Sequence, residues 1–225
     1  MRSSESRHLP SVLLLAVALF ATVSCGSAPA SKTDAQPDSV QLEALQHLLG
    51  SSYAAEEAFG FETLEELRGR SSIGVVVTIA GIEPGPAEII AQLDDGATIL
   101  NETLAISLVD NEGKEHILVQ DYGEAVSFDA IASQFPVGAT AVLFGVPYTP
   151  PEKRTKSEHL DKSKSAKWQL AHPLGFLVRS SDRVLIPLFS EGNSSLKAST
   201  EVDKEFLRSI GLEVSEIRWP KVDGA

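Results

Sequence analysis

Apolar and polar residues alternate with a period of two over much of the middle of the chain. Ile73, Val75, Val77 and Ile79 alternate with smaller or more polar residues, which predicts a strand with one large apolar face and one smaller, mixed face. Further strands are predicted at residues 87–93, 104–108, 117–119, 140–146, 168–170, 175–179 and 183–189. Pro187 removes a backbone donor from the last of these, so we expect it at a sheet edge.

Helical spacing of apolar residues appears on both sides of this β-rich region. Leu42, Leu45 and Leu49 predict a helix that begins after Asp38 and ends at Gly50. Further helices are predicted at residues 53–59, 63–69, 128–133 and 200–210. The predicted fold class is therefore mainly β (α+β): a small antiparallel barrel or curved sheet between residues 71 and 189, with flanking helices. The predicted core residues are Ile73, Val75, Val77, Leu104, Ile106, Leu108, Val142, Phe144 and Val178.

The N-terminal residues have the layout of a secretory signal peptide. Two arginines precede an apolar run at residues 12–23, which is shorter than the roughly 20 residues that span a bilayer. Cys25, the only cysteine, follows directly, and this arrangement resembles the lipobox of bacterial lipoproteins. The resemblance implies cleavage before Cys25, a lipid on its thiol and a lipid-anchored protein on the extracytoplasmic side of the cell membrane. The alternative is ordinary secretion, with cleavage after Ala28 or Ala30.

The chain divides into three predicted parts. Residues 1–24 form the signal peptide, and residues 25–38 form the lipidated cysteine and a flexible tether rich in Ser, Ala and Pro. Residues 39–220 form a single globular domain, which is long enough for one hydrophobic core. With Cys25 carrying lipid, no thiol remains for a disulfide or a metal site.

The charge of the chain limits the kinds of partner that it can bind. The formal net charge is −12 at pH 7. Removal of residues 1–24 takes away two arginines and one glutamate, which leaves 17 Lys and Arg against 30 Asp and Glu, a net charge of −13. Such an acidic chain is unsuited to nucleic acid, whose phosphates attract basic surfaces.

One segment, residues 152–167, reverses this sign locally. It contains six cationic residues and only three acids, and prolines precede it, which predicts a loop. The six are Lys153, Arg154, Lys156, Lys162, Lys164 and Lys167. Two interpretations remain open: a mobile, solvated loop, or a contact with anionic lipid or cell-wall polymer near the anchor.

The order of landmarks in the predicted domain resembles that of exported, largely uncharacterised proteins of high-GC Gram-positive bacteria. The landmarks are residues 64–77, residues 103–109, the Pro136 and Gly138 turn before residues 142–144, and residues 168–178. Such patterns are similar to small OB-type barrels, distantly like the netrin and metalloprotease-inhibitor module. The resemblance implies the fold alone, because that module inhibits through a free N-terminal cysteine tied by disulfides.

Candidate chemistry is sparse in this sequence. No histidine pair has metal-ligand spacing, so His47, His116, His159 and His172 are interpreted as solvated or singly hydrogen-bonded, and no metal site is predicted. Residues 157–161 contain the residue types of a catalytic triad, but no glycine-flanked serine elbow is present. Phosphate-binding loops and dinucleotide fingerprints are absent, so no cofactor and no catalytic residue are predicted.

These observations lead to two functional hypotheses. The first is a membrane-anchored binding or accessory module of the cell envelope, which presents a β-barrel surface to an envelope protein or polymer. The alternative is an envelope hydrolase whose site is assembled from residues distant in the sequence.

Overall fold

The structure, a computed structural model, describes residues 36–49, 64–122, 126–181 and 185–189, with Glu205, Leu207 and Arg208 of a C-terminal helical segment. The helices are α1 (Ser39–Leu49), α2 (Leu64–Arg70), α3 (Phe128–Gln134) and α4 (Glu158–Lys162). The strands are β1 (Ile73–Pro84), β2 (Glu88–Gln92), β3 (Thr98–Asn101), β4 (Thr103–Asp110), β5 (Glu115–Asp121), β6 (Thr140–Pro147), β7 (Ala166–Leu170), β8 (Phe176–Val178) and β9 (Ile186–Pro187). Cys25, the predicted leader and the predicted helix at residues 53–59 lie outside the described residues.

Five strands close into a barrel in the order β1, β4, β5, β7 and β6, and β6 pairs back to β1. Every neighbouring pair is antiparallel except β5 and β7, which are parallel. A small closed barrel of five strands is the OB-type architecture. The predicted OB-like barrel with flanking helices is therefore confirmed, with one parallel pair that the alternation of residues does not reveal. Pro187 lies in β9 at the end of the sheet order, as predicted for an edge strand.

The length and curvature of β1 allow the barrel to close. Its 12 residues pair with β6 over residues 73–78 and with β4 over residues 77–84. The register shifts between Ile79 and Gly81, which is the mark of a β-bulge. Because a bulge bends and twists the strand that carries it, β1 can serve both of its neighbours.

The barrel interior is apolar, and helices α1 and α3 contribute to it. Leu45 of α1 and Ile131 of α3 have no exposed surface and belong to the same cluster as the barrel side chains. The fully buried interior side chains of the strands include Ile79, Leu104, Ile106, Leu118, Leu143, Phe176 and Val178. The predicted core is confirmed at seven of nine positions, while Val75 and Ile73 are only half-buried. Ile73 is the first residue of β1, where the strand pairs with β6 alone.

A second apolar layer covers the outside of β1 and β6. Val76, Val142 and Phe144 point away from the barrel interior and pack with α2 and the C-terminal helical segment. The covering side chains are Leu64, Leu67 and Leu207. The part of β1 around Val76 and Val77 is therefore covered on both faces, whereas Thr78 and Ala80, further along its outer face, are exposed.

We predict that Ile106→Ala destabilises the protein by about 2–5 kcal/mol, because it removes a fully buried side chain and leaves a cavity in the barrel. Urea denaturation measures the change in the free energy of unfolding. Val137→Ala is the control, because Val137 is 56 % exposed and its truncation should change stability by less than about 0.5 kcal/mol. Equal effects of the two substitutions would contradict the placement of Ile106 in the interior.

Candidate functional site

The connection between β6 and β7, residues 148–165, lies against the barrel and does not extend freely from it. Leu160 of α4 is 1 % exposed and packs on Ala105, Ile117 and Val119, on the outer face of β4 and β5. Ser157 caps α4, since its side chain accepts a hydrogen bond from the backbone N–H of Leu160. One apolar residue on a single helical turn thus attaches a largely polar segment to the sheet.

The same connection is joined to the β2–β3 hairpin by three hydrogen bonds, two of them between backbone groups. The N–H of Thr155 donates to the carbonyl of Ala87 at 2.7 Å, and the N–H of Ala87 donates to the Thr155 hydroxyl at 2.8 Å. The N–H of Ile89 donates to the carbonyl of Lys153 at 3.0 Å. An isolated two-stranded hairpin is marginally stable in water, so these bonds support the hairpin as well as the connection.

A groove of about 1250 Å³ runs beside α4. One wall is the end of β1, at residues 83–85, and another is the turn between β4 and β5, at Lys114 and Glu115. The β6–β7 connection supplies the rest, at residues 156–159 and 162–166. The lining contains no phenylalanine, tyrosine or tryptophan, and its lysine, glutamate and serine side chains can bind the polar groups of a ligand.

Four lysines and three glutamates line the groove. Lys162 forms an ion pair with Glu158 on the same helix. The remaining lysines, Lys114, Lys156 and Lys164, form no ion pair within the described part of the chain. The groove therefore carries cationic groups without carboxylate partners on a chain whose net charge is −12.

The other groove carboxylates contact side chains of the β6–β7 connection. Glu115 accepts a hydrogen bond from the Ser165 hydroxyl at 3.1 Å, which links two walls of the groove. The Nδ1 atom of His159 lies 3.5 Å from Glu83. These contacts hold carboxylates among the lysines, and a ligand must meet both kinds of charge.

The structure separates the six cationic residues that the sequence groups together. Lys156, Lys162 and Lys164 line the groove, whereas Lys153 is exposed outside its lining. Arg154 donates to Asp161 at 2.6 Å, and this hydrogen bond lowers the pKa of the Asp161 carboxyl.

Lys167 is not a loop residue: it belongs to β7, and its ammonium group donates to the carbonyl of Ser163 at 2.9 Å. Lys114 is the groove cation that sequence reasoning missed. It is distant in the sequence and is brought to the groove only by the pairing of β5 with β7.

His116 of β5 is buried near the turn that carries Lys114, and its side chain joins β4 to β7. Its side chain is 1 % exposed, and its Nε2 atom is 2.9 Å from the Asp110 carboxylate. On the other side, the indole N–H of Trp168 donates to the Nδ1 atom at 3.1 Å. Because an indole nitrogen is a donor only, the Nδ1 atom must accept, and the proton must reside on Nε2. His116 therefore makes two hydrogen bonds, where the sequence predicted one at most.

Asp110 connects His116 to the position of Lys114. Its carboxylate also accepts hydrogen bonds from the backbone N–H groups of Glu112 at 2.9 Å and of Lys114 at 2.8 Å. The hydrogen bond from His116, followed by that from the Lys114 backbone, lowers the pKa of Asp110. The turn that carries Lys114 is thus held in place by a buried histidine.

A second polar cluster lies where the hairpin, β5 and the connection meet. Burial raises the pKa of Asp121, and the nearby charge of Glu88 raises it further, against a hydrogen bond from Asn101 that lowers it. Burial also raises the pKa of Tyr148, while the charge of Arg154 lowers it. Carboxyl groups with raised pKa values are common at functional sites, although structural clusters produce them as well.

The residue types of a catalytic triad do not assemble. The Ser157 hydroxyl accepts the helix-capping hydrogen bond, His159 faces Glu83, and Asp161 is paired with Arg154. In the ranges that the structure describes, no group of three or more histidine, aspartate, glutamate or cysteine residues could hold a metal ion. None of the described helices is long and apolar enough to cross a bilayer.

Comparison with known proteins adds no assignment. No protein-family model, no curated protein and no solved structure matches this chain.

We predict that Asp121→Asn stabilises the protein at pH 7, because it removes a charge that burial and Glu88 disfavour and keeps an oxygen that can accept the Asn101 hydrogen bond. A raised pKa means that folding favours the protonated carboxyl. Its favourable contribution is therefore present at acid pH and is lost as the pH rises through the folded-state pKa.

The gain in the urea midpoint should accordingly shrink at pH values below 3.8, the ordinary pKa of the group, where both states are protonated. Asp94→Asn, at an exposed position in the hairpin turn, is the control for the change in net charge. A loss of stability at pH 7 that persists unchanged in acid would contradict the inferred cost of the Asp121 charge.

Proposed function

We propose that this protein is a lipid-anchored binding module of the cell envelope, held on the extracytoplasmic side of the membrane through Cys25. The groove beside α4 is the observation that carries the binding half of the proposal. It is open and lined by Lys114, Lys156 and Lys164, none of which has a carboxylate partner among the described residues. The leader-like sequence before Cys25 supports the anchor.

The covering of the barrel also bears on the kind of ligand. OB-type barrels that bind oligonucleotides use the face of their second and third strands. Here those strands are β4 and β5, and Leu160 and Tyr148 cover part of their outer face. Together with the acidic net charge, this favours a partner in the envelope over nucleic acid.

The alternative function, an envelope hydrolase, has one observation in its favour. Asp121 has a raised pKa and lies near Glu88 and Tyr148, and a carboxyl of that kind can act as a general acid. We favour binding because Ser157 and His159, the candidate nucleophile and base, have other partners, and because the groove is open to water.

One experiment tests both halves of the proposal. Cells expressing the wild-type chain or Cys25→Ser are cross-linked, fractionated and subjected to affinity capture. We expect the wild-type chain in the membrane fraction, because two acyl chains hold a protein on a bilayer where one does not. The Ser variant should be released or should retain its leader.

The captured material provides the second measurement. Wild-type protein should carry a cross-linked envelope protein or polymer, and the Ser variant should lose most of it through separation from the membrane. A Ser variant that is processed and fractionates like the wild type would rule out the lipid anchor. Wild-type protein that reaches the membrane and cross-links to nothing would rule out the binding function.

A further inference from the structure

We infer that the groove beside α4 binds a linear acidic polysaccharide, a chain whose sugar units carry hydroxyl groups and widely spaced anionic groups. The inference rests on the proposed binding function and specifies the ligand of the same site. Three observations support it: the shape of the groove, the arrangement of its charges and the residue types of its lining.

The shape favours a polymer chain over a membrane surface. The lysines come from separate walls: Lys114 from the β4–β5 turn, and Lys156 and Lys164 from the β6–β7 connection. A space of about 1250 Å³ lies between these walls. A flat bilayer can contact the rims of such a groove, whereas a single chain can enter it and meet all three ammonium groups.

The charge pattern favours an anion of low charge density. Glu83, Glu115 and Glu158 lie among the lysines and would repel a polymer that carries a charge on every unit. The same carboxylates can accept hydrogen bonds from sugar hydroxyls, and the groove serines Ser157, Ser163 and Ser165 add further polar groups. A polymer with spaced anionic groups and hydroxyls between them can place its anions at the lysines and its hydroxyls at the glutamates and serines.

The residue types of the lining disfavour single-stranded nucleic acid as the ligand. Proteins that bind single-stranded nucleic acid stack the bases on aromatic side chains, and the groove lining has no phenylalanine, tyrosine or tryptophan. The permanently charged cations of the lining are lysines, which act as point charges, and none is an arginine, which would form planar, bidentate contacts. The one arginine of the connection, Arg154, is paired with Asp161 and does not line the groove.

The test measures binding of defined polymers to the predicted mature chain, residues 25–225 carrying Cys25→Ser so that no lipid is attached. Hyaluronan oligosaccharides, which carry one carboxylate per disaccharide, are the probe. Dextran provides hydroxyls without charge, polyphosphate provides charge without hydroxyls, and vesicles of phosphatidylglycerol provide an anionic bilayer. We expect hyaluronan to bind most tightly, with an affinity that falls as salt is added.

Variants locate the contact. The combined substitution Lys114→Gln, Lys156→Gln and Lys164→Gln should weaken hyaluronan binding about tenfold at low salt, since each exposed ionic contact contributes a modest factor. Lys153→Gln is the matched control, because Lys153 lies in the same connection and is exposed but does not line the groove. It should change the affinity less than about twofold. Circular dichroism and urea midpoints verify that every variant is folded.

Three results would overturn the inference. The first is no hyaluronan binding by the folded wild-type chain at low salt. The second is a loss of affinity for Lys153→Gln as large as the average loss per lysine in the combined variant, which would show a diffuse charge effect and not a groove. The third is tighter binding to the anionic vesicles or to polyphosphate than to hyaluronan. Any of these would leave membrane anchoring and cross-linking of an envelope partner intact, so the failure of this inference is distinct from that of the proposed function.

Discussion

The imidazole of His116 accepts a hydrogen bond from Trp168 and donates one to Asp110, and the first of these bonds crosses the junction of β5 and β7 at which the barrel closes. Strands β5 and β7 pair at only three positions, residues 116–118 with residues 166–168. The β6–β7 pairing is equally short, but the β5–β7 pairing is also parallel, and parallel ladders are slightly less stable per residue. The hydrogen bond from Trp168 to the buried imidazole of His116 adds a side-chain contact to these three backbone pairings.

The shape of the groove follows from this junction. Asp110 accepts a hydrogen bond from the backbone N–H of Lys114 and so fixes the turn that carries this lysine. On the other side of the junction, Ser165 directly precedes β7, and its hydroxyl donates to Glu115. The β6–β7 connection begins and ends at neighbouring positions, because β6 and β7 are antiparallel neighbours and the N–H of Tyr148 donates to the carbonyl of Lys167 at 3.1 Å. Between these ends it passes over the outer face of β4 and β5. Leu160 holds it there, and the groove is the space left beside it. The groove is therefore bounded by the β4–β5 turn, by the end of β1 and by the connection that covers β4 and β5.

Much of the fold could be predicted from the sequence, because strand alternation and helical spacing are local properties. Ile106 and Phe144 are buried as their patterns predict, although Phe144 packs outside the barrel and not within it. Helix α4 was missed because its five residues carry one apolar side chain, too few to show a period. The position of Lys114 in the groove and the two partners of His116 depend on a parallel pairing between distant segments, and no local pattern encodes such a pairing.

The protonation of His116 provides the most direct test of the closed barrel. Nitrogen-15 NMR of the imidazole in the mature chain distinguishes its two ring nitrogens, and His116→Gln identifies its signals. Near neutral pH, we predict a single neutral tautomer with the proton on Nε2 and an unprotonated Nδ1 that accepts from Trp168. In Trp168→Phe this preference should weaken. A proton on Nδ1, or rapid averaging between the two tautomers in the wild-type chain, would contradict the closure of the barrel through His116.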